Sequence, residues 1–308
     1  MKILQIGAGN FGERHLHNWK ELGVELYVAD TNENRFEVCV AECGLDRSRF
    51  TTDYRKFLPL VDAIDIATPS STHFQIAREC LESGKDVFVE KPMANNSSES
   101  RKLVELAESL NKILMVGHVF VYNPVTQHVK TLIDKGELGE IYFVRAQFND
   151  FKDLRADSGA LFNLATHYVA VFNYLFGKPS SFISMTGNFV RKEFDDIAVA
   201  CFKYGNTLAH FECTNMHTAK ERTLTVVGSK ASISADFLEQ SIIKYNNTFN
   251  GIKAIKGTHE RLVPELRYTE PLKAELREFI RSIQTREQPI TNGRNTLEII
   301  ETLEAMKK

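Results

Sequence analysis

The sequence lacks most of what would mark other classes of protein. It has no excess of charge: 38 Lys and Arg against 40 Asp and Glu over 308 residues leave a formal net charge of −2. A near-neutral chain has no basic field to hold nucleic acid or an anionic membrane surface, so neither is expected as a partner. No apolar run approaches the roughly 20 residues of a membrane-spanning helix. The start runs from Met1-Lys2 straight into Ile3-Leu4-Gln5-Ile6 without an apolar signal segment, and the expected location is the cytoplasm. The five cysteines (Cys39, Cys43, Cys80, Cys201, Cys213) are odd in number and scattered, which argues against a disulfide framework. Cys39 and Cys43 stand one helical turn apart and read as small apolar residues of one helix face, so no metal is expected. There is no G-x-S-x-G elbow, no Walker loop and no H-E-x-x-H.

What the chain does contain is ordinary globular material, 43% hydrophobic and 25% charged, enough for roughly two domains at about 150 residues each. In the first third, short runs rich in Ile and Val alternate with helical patterns. Strands are expected at Lys2–Ile6, Val24–Ala29, Val61–Ala67, Asp86–Val89 and Ile113–Val116. Helices are expected at Phe11–Leu22, Glu33–Cys43, Thr72–Ser83 and Ser98–Leu110. Thr72 with Gln75, and Asn96 with Glu99, fit capping boxes, and Gly23, Gly44 and Gly84 stand where helices stop. Strands alternating with helices imply an α/β fold with a doubly wound parallel sheet.

The first strand runs into GAGNFG, Gly7 to Gly12, a G-x-G-x-x-G pattern. Gly7 allows the tight turn, Gly9 the approach of a pyrophosphate, and Gly12 the close packing of helix on strand. The helix N-terminus then offers free N–H groups to phosphate. Asp30 follows Gly12 by eighteen residues, close to the ~20 expected of the carboxylate that binds the adenosine ribose. A carboxylate there favours NAD over NADP, although Arg35 nearby softens that preference. Glu90-Lys91-Pro92 follows the fourth strand and puts a lysine at the carboxyl end of a parallel strand; read alone, Lys91 is as readily a solvated residue.

Taken with these motifs, ATPSSTH (Ala67–His73), VFVEKPM (Val87–Met93), VGHVFVYNP (Val116–Pro124), GELGEI (Gly136–Ile141), SGALFNLATH (Ser158–His167), LTVVGSKA (Leu224–Ala231) and TEPLKAELREFI (Thr269–Ile280) resemble the glucose–fructose oxidoreductase / inositol dehydrogenase (Gfo/Idh/MocA) family over nearly the whole chain. Within it, GHVFVYNP, DDIAVACF and LTVVGSK look most like members of the UDP-N-acetylglucosamine 3-dehydrogenase type. The resemblance implies a Rossmann domain over 1–119 and a substrate-binding and oligomerisation α+β domain over 120–308, with a mostly antiparallel open sheet. The residues agree, with period-2 or apolar strands at Glu140–Phe148, Ser181–Val190, Ile197–Lys203, Thr207–Cys213, Arg222–Val227, Ala231–Ala235 and Ser241–Tyr245. The open face implies a homodimer or homotetramer.

The resemblance also implies the site. NAD would meet Gly7, Gly9, Asn10, Phe11, Gly12, Asp30, Thr68, Pro69, His73, Glu90 and Lys91. The helix expected over Gly159–Phe176 carries Asn163 and His167 four apart, on one face. Carried over from the family, Lys91 would stabilise an alkoxide and help relay the proton and His167 would act as base, with Tyr122, Asn163, His167 and Lys91 meeting a sugar or sugar-nucleotide substrate. The family pattern has an aspartate at position 163; asparagine keeps an acceptor and a donor but no charge. Tyr168, beside His167, points elsewhere on the helix. His15 and His17 read as helix-surface residues, and His73 and His118 as cleft lining. Arg155, Asp157 and the stretch His217–Arg222, with Lys220 and Arg222, are candidates to shape the pocket, though the two cations are as readily solvated. The expected activity is dehydrogenation of a CH–OH group; a reductase of a non-sugar carbonyl and a non-catalytic binding protein are the alternatives.

Overall fold

A computed structural model describes residues 1–155, 158–262 and 270–307. Asp157 and Thr269 therefore lie outside the described residues. The chain divides into two compact units, the first built from Met1–His118 with Leu272–Glu301, the second from Val119–Pro271 with the end of the chain from Thr302.

The first unit is a six-stranded, all-parallel sheet. Its strands are β1 (Lys2–Ile6), β2 (Glu25–Ala29), β3 (Phe50–Thr51), β4 (Ala63–Ile66), β5 (Asp86–Glu90) and β6 (Leu114–Gly117), in the order β3-β2-β1-β4-β5-β6. Order reverses beside β1, the switch point at which such sheets bind ligands. Four helices connect the strands: α1 (Asn10–Glu21), α2 (Arg35–Cys43), α3 (Ser70–Glu82) and α4 (Ser97–Ser109). Both sheet faces are covered, so Ile64, Ile66, Val87 and Val89 are fully buried. Gly23, Gly44 and Gly84 adopt positive φ where helices end. Asn96 caps α4, its Oδ1 accepting from the Glu99 N–H at 2.8 Å. Thr72 does not cap α3, which begins two residues earlier; its hydroxyl donates to the Pro69 carbonyl instead. The two-residue edge strand β3 is too short to leave a periodic signal.

The boundary over 120–308 needs a correction. Two C-terminal helices, α7 (Pro271–Thr285) and α8 (Gly293–Met306), return much of their length to the first unit. The physical cause is apolar: Phe279 packs its ring on Phe88 at 5.8 Å, and Leu297 and Ile300 join the core of β4, β5 and β6. Ion pairs Arg286–Asp86 (2.7 Å) and Arg294–Glu108 (2.7 Å) reinforce the return.

The second unit opens with α5 (Pro124–Asp134) and is built on an eight-stranded sheet. Its strands are β7 (Ile141–Phe151), β8 (Ser181–Gly187), β9 (Ile197–Tyr204), β10 (Thr207–Thr214), β11 (Met216–Gly228), β12 (Ser232–Asp236), β13 (Ser241–Tyr245) and, across from β13, a strand at His259–Leu262. All neighbours pair antiparallel except β10 with β7. Between β7 and β8, a π-helical turn at Leu161–Ala165 leads into α6 (Thr166–Phe176). Phe172 of α6 packs on Phe202 and Phe211, covering one sheet face. The other face exposes Ile183 (74%), Met185 (75%) and Leu208 (55%). Among the described residues no helix is long and apolar enough to cross a membrane.

Candidate active site

At the carboxyl end of β1, Gly7 takes φ +98°, and a Cβ there would stand 2.7 Å from the Ala67 carbonyl oxygen. A Cβ on Gly12 would stand 2.4 Å from the Gly7 carbonyl oxygen, so helix and strand meet at glycine-only distance. Gly9 is the N-cap of α1 and no side chain caps the helix, so its first-turn N–H groups face outward at the positive end of the helix dipole. Gln5 pins this loop from inside, its amide donating to the carbonyls of Gly7 and Gly12 at 2.8 Å each. Sequence reading missed Gln5; the signal was a polar residue in the otherwise apolar centre of β1. Asn10 and Phe11 are exposed on the first turn of α1.

Asp30, just past β2, accepts from the Ala8 N–H at 2.7 Å and the Asn32 N–H at 2.8 Å, which fixes its carboxylate against the glycine loop. Arg35 is ion-paired with Glu13 at 2.8 Å. A dinucleotide therefore fits the residues present: glycine turn, uncapped helix terminus and a positioned carboxylate.

Thr68 and Pro69 follow β4, and His73 sits in the first turns of α3. His73 is buried with both ring nitrogens engaged by carbonyls, Nδ1 by Pro92 at 2.7 Å and Nε2 by Thr68 at 2.8 Å. It ties the loop after β4 to the loop after β5, and neither nitrogen is left for a cofactor. Lys91, partly buried, follows β5, and its N–H donates to the Glu90 carboxylate at 3.2 Å. His118, buried at the end of β6, has no partner for either ring nitrogen among the described residues. Burial, and then the charge of Lys91, push its pKa down to about 3.

His17 is exposed, as read from sequence, but His15 is fully buried, its Nδ1 2.9 Å from Asp65 Oδ2. The correction was readable: Gly12, His15, Leu16 and Trp19 form the buried stripe of α1 at helical spacing.

In the second unit, Asn163 lies in the π-helical turn and His167 one residue into α6. The turn replaces the regular helix expected there; π-turns are frequent at functional sites. His167 is 8% exposed. Its ring stacks on Phe148 at 5.2 Å with 9° between planes, and lies 4.8 Å from Phe120. Two aromatic neighbours fix the imidazole plane. Tyr122 is buried (6% exposed), and the adjacent Asn123 caps α5 by accepting from the Val125 N–H. The Tyr168 hydroxyl lies 2.8 Å from the carbonyl oxygens of both Gln147 and Thr223, which compete for its one proton and tie it into the sheet, and burial holds its pKa well above the phenol range. Arg222 is not solvated: it is buried, lies 3.5 Å over the Phe148 ring and pairs with Asp150 at 3.1 Å. Lys220 is exposed.

Comparison with known proteins matches these features. Residues 1–118 match the model of an oxidoreductase family with an NAD-binding Rossmann fold, and residues 126–234 match the Gfo/Idh/MocA C-terminal domain. The chain is 24% identical over 294 residues to a UDP-N-acetylglucosamine 3-dehydrogenase of Acidithiobacillus ferrooxidans, covering 95% of this chain and 92% of the relative. It is 26% identical over 308 residues to a scyllo-inositol 2-dehydrogenase (NAD(+)) of Bacillus subtilis, covering 92% and 86%. In fold it is similar to a levoglucosan dehydrogenase solved with NADH and levoglucosan, with a TM-score of 0.88, 18% identity, and 100% and 96% coverage. With both of its units matched in chain order, the protein belongs to the Gfo/Idh/MocA oxidoreductase family.

Proposed function

We propose that the protein is a dehydrogenase moving a hydride between NAD and a secondary alcohol of a sugar or nucleotide-linked sugar, with a UDP-N-acetylglucosamine-type substrate oxidised at its 3-position as the leading candidate. One observation carries the reading. The glycine turn, the Thr68 loop and Lys91 stand at the carboxyl ends of β1, β4 and β5, which are adjacent in the sheet. That edge is where open α/β sheets bind ligands. The names of the sugar- and inositol-oxidising relatives support the substrate class.

Gly7, Gly9 and Gly12 with the α1 N-terminus would hold the pyrophosphate, and Asp30 the adenosine ribose hydroxyls. Asn10, Phe11, Thr68, Pro69 and Glu90 frame the rest, with His73 bracing the loop. Asp30 repels a 2′-phosphate, and Arg35, engaged by Glu13, is not poised to offset that; both favour NAD. Bound NAD supplies the hydride acceptor. The chain handles the proton. Lys91 presents a positive charge to the developing alkoxide and His167 accepts the hydroxyl proton as general base. The rings of Phe148 and Phe120 limit the orientations His167 can take. Asn163 offers one acceptor and one donor to the substrate without a charge, and Tyr122 completes the substrate set. The uncharged Asn163 is the one feature favouring a second reading, a binding protein without catalysis. The working form is a homodimer or homotetramer built on the exposed face of the eight-stranded sheet.

The test is formation of the reduced nicotinamide, followed by its absorbance, with NAD or NADP and a panel of free and UDP-linked hexoses. A rise with one substrate class and NAD is expected. Lys91→Ala and His167→Ala are each expected to lose turnover by at least about a hundredfold while NADH still binds. Full turnover in either variant sinks its assigned role. NADH binding with silence across the panel favours the binding reading.

A further inference from the structure

Behind Lys91 lies a buried charged cluster, contributed by four elements of the first unit, in which the proposed reaction assigns a role only to Glu90. His15 of α1, Asp65 of β4 and Glu275 of α7 are fully buried, and Glu90 of β5 is 9% exposed. Asp65 Oδ2 takes the Trp19 indole N–H at 2.6 Å and His15 Nδ1 at 2.9 Å. On the other side of the imidazole, Nε2 stands 3.3 Å from Glu90 Oε1, an ion-pair distance without hydrogen-bond alignment. The second oxygen of Glu90 accepts the Lys91 N–H. The rings of Phe11 and Phe88 stand edge-on to His15 at 5.2 and 5.8 Å. The space for the Glu90 carboxylate exists because residue 117 is glycine: a Cβ there would stand 2.5 Å from Glu90 Oε1.

A continuous series of contacts thus runs from Trp19 through Asp65, His15 and Glu90 to the backbone of Lys91. Two buried carboxylates need a cation between them, since an unpaired buried charge is costly. Burial alone would discharge His15, but Asp65 and Glu90 outweigh it and carry its pKa up to about 10. Glu275 faces the same group. Burial, and then the charge of Glu90, hold its carboxyl well above the usual range, so it enters as a neutral acid. His118 also stands near Lys91, and burial and then the charge of Lys91 hold its pKa low, at about 3. Among the described residues no group of three or more His, Cys, Asp or Glu is arranged to hold a metal ion.

We propose that His15 is a positioning residue for the reaction: held between Asp65 and Glu90, it fixes the Glu90 carboxylate, which in turn sets the backbone and the charge environment of Lys91. This rests on the role given to Lys91 above. Because His15 rides on α1, the helix whose N-terminus would bind the dinucleotide, the cofactor site and the lysine that would face the alkoxide share one rigid support.

The test uses the full chain and needs no sugar substrate. The titration of Lys91 is followed by competitive acetylation across pH 7–12, read by mass spectrometry of its peptide, in wild type, His15→Gln and Glu90→Gln. NADH binding and the melting temperature are measured alongside. Glu90→Gln keeps the volume and an acceptor but removes the anion. The Lys91 midpoint is expected to fall by about one pH unit, tenfold in proton affinity. His15→Gln removes the cation from between Asp65 and Glu90, and the Lys91 midpoint is expected to leave its wild-type value, downward where Glu90 takes up a proton and upward where Asp65 does and Glu90 keeps its charge. NADH affinity is expected to stay within about threefold in His15→Gln, where the side chain replaced is fully buried. Lowered melting temperatures with an unmoved Lys91 midpoint mean that the cluster only supports the fold, and overturn the proposal. If His15→Gln does not fold, Glu90→Gln decides alone. Full turnover in Lys91→Ala would remove the role given to Lys91 while leaving the midpoint shift intact, so the two failures are distinguishable.

Discussion

Gly9 and Gly12 stand three residues apart at the start of α1, yet adding a single methyl group to each is expected to have opposite effects on stability. At Gly12 the new Cβ would lie 2.4 Å from the Gly7 carbonyl oxygen, 3.0 Å from the Gly7 carbonyl carbon and 3.1 Å from Gln5 Nε2. Two of these are backbone, and Gln5 is itself held by two hydrogen bonds, so nothing near can swing aside. Helix α1 must move off β1. Overpacking of this kind costs about 1–3 kcal/mol, or a fall of roughly 2–10 °C in melting temperature for a unit of this size. At Gly9 no atom lies within 4 Å of the added Cβ, and φ of −72° suits alanine. Gly9→Ala should therefore melt at the wild-type temperature or slightly above it, because it removes freedom from the unfolded chain. Its methyl group would instead stand where the pyrophosphate approaches the helix. Loss of charge-assisted contacts worth about 1.5–3 kcal/mol weakens NADH by roughly ten- to a hundredfold. Differential scanning fluorimetry and NADH fluorescence titration on the two variants separate these outcomes. A Gly12→Ala protein that melts like wild type, or a Gly9→Ala protein that binds NADH like wild type, refutes the assignment of the cradle.

Asp30→Ala removes the acceptor for the Ala8 and Asn32 N–H groups and the expected partner of the ribose diol; NADH affinity should fall about tenfold while the preference over NADPH narrows, as read from the ratio of dissociation constants. Asp196 is buried, which alone would raise its pKa, but the N–H groups of Val190, Arg191 and Phe189 and the Arg191 guanidinium outweigh burial and bring it down to about 2. A depressed carboxyl pKa stabilises the fold above the unfolded value near 4, and that stabilisation is lost as pH falls toward 2. Asp196→Asn should thus cost about 2 kcal/mol at pH 7, and its melting-temperature gap to wild type should close below pH 4. Ile183→Asp with Met185→Asp, on the exposed sheet face, is expected to convert an even-numbered oligomer to monomer by light scattering; a wild-type monomer would remove that part of the proposal.

The parallel sheet was legible because strands covered on both faces read as continuous apolar runs, and β1 through β6 were placed to within two residues, β3 excepted. The glycine cradle was legible because its chemistry is local: turn, approach and packing each demand glycine within six positions. What stayed hidden was decided by distant partners. The return of α7 to the first unit depends on Phe279 meeting Phe88, nearly two hundred residues earlier. The burial of Arg222 depends on Phe148 and Asp150. The buried cluster was hidden for the same reason, yet it left a trace. Gln5 in KILQI, Asp65 in AIDI, His15 in the stripe of Gly12, Leu16 and Trp19, and Glu275 between Leu272 and Phe279 are polar residues at positions whose periodicity calls for apolar ones. Each would be costly in isolation. Four such residues in one parallel-sheet unit cannot all be isolated, so the pattern already requires that some of them meet. Gln5 meets the loop carbonyls, and the other three gather around Glu90, at the strand end that carries Lys91. A polar residue inside an apolar period is therefore a demand for a partner, and the partners of several such residues point to the site before any motif names it.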